Sequence, residues 1–312
     1  MVSGPHLAPM PMTTTKPYRI LQLDVFADRL FEGNPLAVVL DADDLDSATM
    51  QRLARWTNLS ETAFLLTPTQ PTADYRVRIF TPRQELPFAG HPSVGSAYAA
   101  IERGRVASGK TALVQECAAG LLPVRVVGDG ATRIIHVQAP PAHVEVCSAA
   151  VVKNVATALG IALDDSRPYQ QVNNGPLWIV CDLAEASAVR SLAPDFTTLA
   201  ALCEPLHAVG VCAFGREEDG TAAMAVRAFC PADGIPEDPV TGSANAAIAA
   251  YLHATGGLAV YGNQYRASQG REVGRNGFVD VSVDLVGPTI KISIGGACII
   301  GITGELQLPV TG

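Results

Sequence analysis

One stretch of the sequence carries more polar groups than the start of a helix needs. Residues 236–251 read PEDPVTGSANAAIAAY, so two adjacent carboxylates, Glu237 and Asp238, precede a Gly-Ser pair and a run of alanines. A helix N-terminus leaves backbone N–H groups unpaired and carries about half a positive charge. Gly242 would let a ligand approach the backbone, and Ser243 could cap the helix or donate to the ligand. The pattern predicts an anion-binding turn.

A second copy of this turn lies earlier in the chain. PSVGSAYAAI (92–101) and PVTGSANAAI (239–248) are identical at seven of ten positions, and each follows a strand-like segment that ends in Phe-x-Pro. The alignment places Gly95 and Ser96 at the start of the earlier helix. Two alanine-rich helices could resemble each other through composition alone, and each serine could simply cap its own helix. The matching Pro and Gly favour two related halves with one ligand cleft between them.

The residue before the proline differs between the two copies. It is His91 in the first copy and Asp238 in the second. The alignment therefore predicts an imidazole and a carboxylate on opposite walls of the cleft, where they are natural partners in proton transfer. Asp-Pro is also a common turn, and a lone histidine is usually structural. Glu237 aligns with Gly90, and we expect it to be structural and to pair with a nearby arginine.

A third candidate for proton transfer is Glu61, in the segment NLSETAFLL (58–66). It stands at the start of an otherwise apolar strand-like segment. A carboxylate there would be desolvated, and this suits a general base. A glutamate at the exposed end of a strand is the alternative interpretation.

The elements that must position these residues alternate between strands and helices. Alternating apolar residues predict strands at 18–27 and 34–42, and helical spacing predicts a helix over 46–58 capped by Asp46 or Ser47. The first half is rich in strands, and the second half repeats its pattern, so the predicted fold class is α+β. We expect a loose tail over residues 1–17, a first domain over 18–138 completed by the C-terminal strand 297–312, and a second domain over 139–296.

Composition excludes several classes of partner. The chain has 312 residues, of which 48% are hydrophobic and 17% charged, and its formal net charge is −8 without a basic cluster. This argues against nucleic acid and anionic membranes as partners. Seven scattered cysteines without a CxxC pair predict neither a disulfide framework nor a metal site, and they suit a reducing cytoplasm. The sequence has no uninterrupted apolar window of about 18 residues, so we expect no membrane span.

Five segments together resemble the PhzF-like (phenazine-biosynthesis) isomerase family. In chain order, within roughly residues 18–308, they are DVFADRLFEGNPLAVVL, NLSETAFLL, FTPRQELPFAGHPSVGSA, GIPEDPVTGSANAAIAAYL and SQGREVGRNGFVDV. The resemblance implies the diaminopimelate-epimerase-like fold, in which two similar α+β domains each wrap a mixed sheet around a central helix. It also implies an active site between the domains, an isomerase without metal or organic cofactor, and a homodimer.

The resemblance carries roles over to individual residues. It implies an essential acid/base group at Glu61, assisting groups at His91 and Asp238, and a substrate contact at Ser243. Together with the two turns, it predicts the following substrate-binding residues: Gly90, Gly95, Ser96, Gly242 and Ser243.

Three functions are compatible with these residues. The leading hypothesis is an isomerase in which Glu61 moves a proton within a small carboxylate-bearing substrate. The alternatives are a catalytically silent protein that binds small acids or partner proteins, and an epimerase or racemase that uses carboxylate and histidine. Racemases of this fold use two thiols at the turns before the central helices, but residues 85–97 and 234–246 contain no cysteine.

Overall fold

The structure is a computed structural model that describes residues 15–107, 109–164, 166–218, 220–286 and 289–309. Most of the predicted tail, residues 1–14, and the last residues of the predicted C-terminal strand, 310–312, lie outside the described residues. The described residues form eighteen strands and seven α-helices.

The first half of the chain is built mainly of strands around one buried helix. Its elements are β1 (Thr15–Val25), β2 (Asn34–Val39), α1 (Ser47–Thr57), β3 (Thr62–Leu66), β4 (Tyr75–Phe80), β5 (Glu85–Leu86), α2 (Gly90–Glu102), β6 (Ala112–Cys117), β7 (Gly120–Val127) and β8 (Ile134–Gln138).

The second half adds further helices to a similar set of strands. Its elements are β9 (His143–Val146), α3 (Ala149–Leu159), β10 (Gln170–Asn173), β11 (Leu177–Glu185), α4 (Ala186–Arg190), α5 (Phe196–Leu206), β12 (Gly210–Arg216), β13 (Met224–Cys230), β14 (Ile235–Asp238), α6 (Gly242–Thr255), α7 (Leu258–Tyr261), β15 (Gln264–Gln269), β16 (Gly277–Val286), β17 (Thr289–Gly296) and β18 (Cys298–Pro309).

Strand pairing repeats between the halves. β2 is parallel to β3, β3 is antiparallel to β4, β4 is parallel to β6, and β6, β7 and β8 follow as an antiparallel meander. The strands from β11 to β17 repeat this order, with β11–β12 and β13–β15 as the parallel pairs. The two equivalent strands β8 and β17 pair antiparallel and join the halves. The predicted α+β architecture of two pseudo-symmetric units is confirmed.

Each half wraps its strands around a central helix. α2 packs against β1, β2, β3, β4 and β8, whereas α6 packs against β9 to β12, β16 and β17. Both helices are rich in small residues and are buried on almost every face. A helix enclosed on all sides has no polar face to offer water, which explains why neither sequence shows a clear amphipathic period.

At each sheet edge, a strand that follows one half's meander pairs with the first strand of the other half. β18 pairs antiparallel with β1 over nearly its whole length, and β9 pairs in the same way with β10. β18, which follows the β15–β17 meander, therefore pairs with the first strand of the first half. β9, which follows the β6–β8 meander, pairs with the first strand of the second half. The division at residues 138 and 296 stays a prediction, although the β1–β18 pairing is what a completed first domain requires.

Helix starts follow the local sequence. Asp46 caps α1 by accepting from the backbone N–H of Thr49, as predicted. α2 begins at Gly90 rather than at Gly95, where the repeat alignment places the helix start, and its first turn includes Pro92, whose missing N–H costs nothing at that position.

Candidate active site

The two central helices begin side by side. α2 starts at Gly90 and α6 at Gly242, and a methyl group built on Gly90 would lie 3.6 Å from the Gly242 Cα. Neither N-cap residue, Ala89 or Thr241, caps its helix with a side chain. Two sets of unpaired backbone N–H groups therefore meet at one place, where both helix dipoles favour a negative charge.

The positions predicted for Gly95 and Ser96 are wrong. Both are buried inside α2, beyond its first turn. A methyl group on Gly95 would lie 2.5 Å from Leu36 Cδ2 and 2.9 Å from Val25 Cγ2. Gly95 therefore lets β1 and β2 pack closely on the helix, and neither residue lies at the start of the helix.

The register of the sequence repeat is also corrected. Because the helices begin at Gly90 and Gly242, their second residues are His91 and Ser243. The sequence alignment pairs His91 with Asp238, but Asp238 lies before the start of α6, at the end of β14. The matched Pro and Gly of the two segments occupy different positions relative to their helices.

The three predicted proton-transfer residues nevertheless lie together. His91 Nε2 is 3.5 Å from Glu61 Oε2, and the two side chains are only 6% and 16% exposed. Asp238 is buried as well, and it interacts electrostatically with both His91 and Glu61. Three elements converge here: the start of α2, the residue before β3, and the end of β14.

Asp238 is held by hydrogen bonds on both carboxylate oxygens. Asn34 Nδ2 donates to Oδ1 over 3.0 Å, and Thr241 Oγ1 donates to Oδ2 over 2.5 Å. Gln269 Nε2 donates to the backbone carbonyl of Asp238 and to Thr241 Oγ1. These contacts fix the orientation of the carboxylate and leave it an acceptor.

Sequence reasoning missed Asn34, Thr241 and Gln269 as parts of the site. All three stand inside the segments that carry the family resemblance, EGNPLAVVL, PEDPVTGSA and SQGREVG, so their positions were a usable signal. Their buried amides and hydroxyl belong to the support of Asp238, which only the folded chain brings together.

Burial sets the charges of the cluster. It lowers the pKa of His91 to about 4, against the attraction of Asp238. It raises the pKa of Asp238 to about 6, and this effect outweighs the opposing influence of His91 and of the hydrogen bonds from Thr241 and Asn34. At neutral pH the imidazole is therefore uncharged and the carboxylate is mainly ionised.

Glu237 faces away from this cluster. It accepts two hydrogen bonds from the Arg227 guanidinium, over 3.0 and 2.7 Å, and the two side chains are 5% and 7% exposed. The prediction that Glu237 pairs with an arginine is confirmed. Successive residues of a strand point to opposite faces, so β14 presents Asp238 to the site and Glu237 to the other side.

Ser243 is held by two residues that lie outside the predicted motifs. Asn174 Nδ2 donates to the Ser243 carbonyl over 2.9 Å, and Trp178 Nε1 donates to Ser243 Oγ over 3.2 Å. Asn174 and Trp178 lie in the hairpin of β10 and β11. No motif marked that hairpin, because its contribution depends on a contact made across the second domain.

The described residues contain neither a cluster of metal ligands nor a membrane-spanning helix. Within them, no group of three or more His, Cys, Asp or Glu side chains is arranged to hold a metal ion. No helix there is long and apolar enough to cross a membrane.

Solved structures share this architecture. A PhzF-family phenazine biosynthesis protein from Bacillus anthracis is 28% identical and superposes with a TM-score of 0.81, covering 93% of this chain and 99% of that one. A hydroxyproline epimerase from Agrobacterium vitis, 16% identical, matches with a TM-score of 0.61 over 96% and 94% of the two chains. The second likeness shows the epimerase-like fold alone.

Sequence relatives extend over nearly the same length. Antisense-enhancing sequence 1 of Schizosaccharomyces pombe is 37% identical over 91% of this chain and 97% of its own. The trans-2,3-dihydro-3-hydroxyanthranilate isomerase of Pseudomonas aeruginosa is 36% identical over 83% and 87%. The names of several relatives support the isomerase class. The family model for phenazine biosynthesis-like proteins, PhzC-PhzF, matches residues 23–304, and the chain belongs to this family.

Proposed function

We propose that this protein is an isomerase that moves a proton between carbon atoms of a small carboxylate-bearing substrate by general acid/base catalysis centred on Glu61, without a metal or organic cofactor. The observation that carries the proposal is the juxtaposition of the Glu61–His91–Asp238 cluster with two uncapped helix N-termini. The cluster can exchange a proton, and the helix ends can hold an anion.

In the proposed reaction, Glu61 takes a proton from a substrate carbon. The electron pair of the broken C–H bond shifts the substrate's double bonds, and the charge that develops is stabilised by the helix N-termini at Gly90 and Gly242. Glu61 then returns the proton to a second carbon. Proton and electrons balance within the substrate, which leaves as an isomer.

His91 and Asp238 support this transfer in different protonation states. The neutral imidazole beside Glu61 can donate or accept a hydrogen bond without holding a charge, because burial keeps its pKa near 4. The ionised Asp238 is available to orient His91 or the substrate as an acceptor. Positioned acid/base groups typically contribute about 10²–10⁴-fold to a rate, so the preorganised donors must supply the rest.

The donors at the helix ends and the name of one relative support the proposed substrate class. The name of the Pseudomonas aeruginosa relative specifies trans-2,3-dihydro-3-hydroxyanthranilate, a small cyclic carboxylate. We take this compound as the first substrate to test. The helix N-termini would receive its carboxylate, and Glu61 would face its ring carbons.

Turnover in D₂O tests the proposal. The purified protein is incubated with trans-2,3-dihydro-3-hydroxyanthranilate and with a panel of unsaturated small acids, and deuterium at carbon is followed by NMR. Isomer formation with deuterium at a ring or chain carbon supports the proposal. Saturable binding with no carbon exchange for any compound would point instead to a silent acid-binding protein.

The homodimer implied by the family resemblance is proposed as well. Sedimentation equilibrium at micromolar concentration should give twice the mass of one chain. A single species with the mass of one chain would contradict it.

A further inference from the structure

Ser243 is fixed by hydrogen bonds on both its backbone and its side chain. Asn174 donates to its carbonyl and Trp178 to its hydroxyl. Ser243 itself is half-buried at the first turn of α6, whereas Asn174 and Trp178 are buried. The β10–β11 hairpin therefore holds one residue of the anion-binding turn.

The contact with Trp178 determines how the serine hydroxyl can be used. An indole N–H only donates, so Ser243 Oγ must act as the acceptor of that bond. Within the described chain, the hydroxyl donates to no protein group. Its proton is therefore left for a ligand, and because Trp178 occupies one of the two acceptor lone pairs, the hydroxyl is favoured as a donor.

A glycine on the neighbouring strand leaves room for the indole in this position. Trp178 lies opposite Gly210 in the parallel register of β11 and β12. A methyl group built on Gly210 would lie 3.1 Å from Trp178 Cζ3, so a larger residue there would press on the ring. The amide of Asn174 is oriented too, because only its nitrogen can donate to the Ser243 carbonyl.

The rest of the subsite also consists of donors. The first N–H groups of α6 have no side-chain cap, and those of α2 lie beside them. A carboxylate can accept from all of these groups, whereas a carboxamide presents an NH₂ group that the N–H groups cannot accept and for which Ser243 Oγ has only its second lone pair. Without the bond from Trp178, both lone pairs of the hydroxyl would be available to the carboxamide NH₂ group.

We propose that Trp178 is a positioning and specificity-determining residue that occupies one acceptor lone pair of the Ser243 hydroxyl, orients its O–H toward the ligand and thereby favours a carboxylate over the corresponding carboxamide. The inference rests on the proposed substrate class but does not require that proton transfer occurs. Trp178 acts only through Ser243.

Calorimetric binding of two probes tests this selection. The probes are 3-hydroxyanthranilate, an aromatic analogue of the proposed substrate, and its carboxamide. Trp178→Phe retains the packing of a large ring and removes the N–H. We expect the ratio of carboxylate to carboxamide affinity to fall about fivefold to tenfold, and Ser243→Ala to weaken carboxylate binding about tenfold.

The double variant separates positioning from packing. If Trp178 acts through Ser243, Trp178→Phe in the Ser243→Ala background changes the affinity ratio less than about twofold. An equal effect of Trp178→Phe in both backgrounds would overturn the inference. Equal affinity of the unmodified protein for both probes would overturn it too. Trp56→Phe, the same change at an exposed residue, is the matched control.

A spectroscopic measurement covers the case in which Trp178→Phe fails to fold. The chain has two tryptophans, Trp56 and Trp178, so the ¹⁵N–¹H spectrum should show two indole signals that Trp56→Phe assigns. We expect Ser243→Ala and saturation with 3-hydroxyanthranilate each to shift the Trp178 signal. A Trp178 signal unmoved by Ser243→Ala would show that the hydrogen bond is absent and would overturn the proposal.

The D₂O experiment distinguishes this inference from the proposed function. Carboxylate selection that depends on Trp178, in a protein that exchanges no carbon-bound proton, would uphold the inference and remove the isomerase. Isomerase activity without any effect of Trp178→Phe on selection would do the reverse.

Discussion

The imidazole of His91 faces the carboxylate of Glu61, with Nε2 3.5 Å from Oε2. His91 comes from the first turn of α2, and Glu61 comes from the residue before β3. Burial keeps the imidazole uncharged at neutral pH. A neutral partner can orient the Glu61 carboxylate without neutralising its charge. A general base that takes a proton from carbon needs that carboxylate to be ionised.

The activity of the enzyme should depend on the ionisation of Asp238. Between pH 8 and pH 5 we expect kcat/KM to fall as the pH drops through about 6, where Asp238 takes up a proton. Asp238→Asn should be slower and should lack this limb. Retention of the limb in Asp238→Asn would assign it to another group. Asp284→Asn, at an exposed position, is the control.

Stability should depend on pH with opposite signs in two variants. The folded-state pKa of His91 is lowered from 6.5 to about 4, so its contribution to stability is lost as the pH falls through that window. The pKa of Asp238 is raised from 3.8 to about 6, so its ionisation costs stability as the pH rises through that window. In the unmodified protein the two contributions oppose each other.

Each variant should expose one of these contributions. Between pH 4 and pH 6 the unfolding free energy of Asp238→Asn should rise with pH relative to that of the unmodified protein, and that of His91→Gln should fall relative to it, by up to a few kcal/mol. Removing either partner displaces the other group's pKa further in the same direction, which reinforces both signs. Urea titrations at several pH values measure this, and parallel curves for the two variants would contradict the assigned pKa directions.

Two glycine substitutions should separate the binding turn from the core. In Gly95→Ala the new methyl group meets Leu36 and Val25, so we expect a loss of about 1–3 kcal/mol in stability. In Gly242→Ala it lies 2.9 Å from the end of the Ile294 side chain, beside Gly90. This change should raise KM more than it lowers Tm. Thermal unfolding and steady-state kinetics compare the two, and a raised KM with unchanged stability in Gly95→Ala would restore that residue to the binding site.

Much of the architecture could be predicted from the sequence, because alternation and small-residue helices are local patterns. The register of the internal repeat could not, because identical letters in PSVGSAYAAI and PVTGSANAAI take different positions in their helices. Glu61, His91 and Asp238 could be predicted as site residues, because their ionisable groups stand in segments that carry the family resemblance. Asn174 and Trp178 act through contacts between elements that are distant in sequence. No local pattern in a single sequence reveals such contacts.

Breaking the buried ion pair of Arg227 and Glu237 should lower the free energy of unfolding strongly, whereas replacing both residues should lower it much less. Arg227→Met alone leaves the Glu237 carboxylate buried and unpaired, and we expect a loss of about 3–5 kcal/mol. The double change to Arg227→Met and Glu237→Met should be considerably less destabilising. Urea unfolding gives both values, and an additive double variant would contradict the coupling. The more exposed pair of Arg266 and Asp280 should couple by less than about 1 kcal/mol.

We propose that Glu61 carries the proton. The most direct measurement is the rate of isomerisation of trans-2,3-dihydro-3-hydroxyanthranilate in D₂O by Glu61→Gln, with Glu204→Gln at an exposed position of α5 as the control. The amide keeps the size of the side chain but cannot accept the proton, so we expect turnover and carbon-bound deuterium to fall at least about 10²-fold while binding of 3-hydroxyanthranilate persists. Normal turnover by Glu61→Gln would contradict the account.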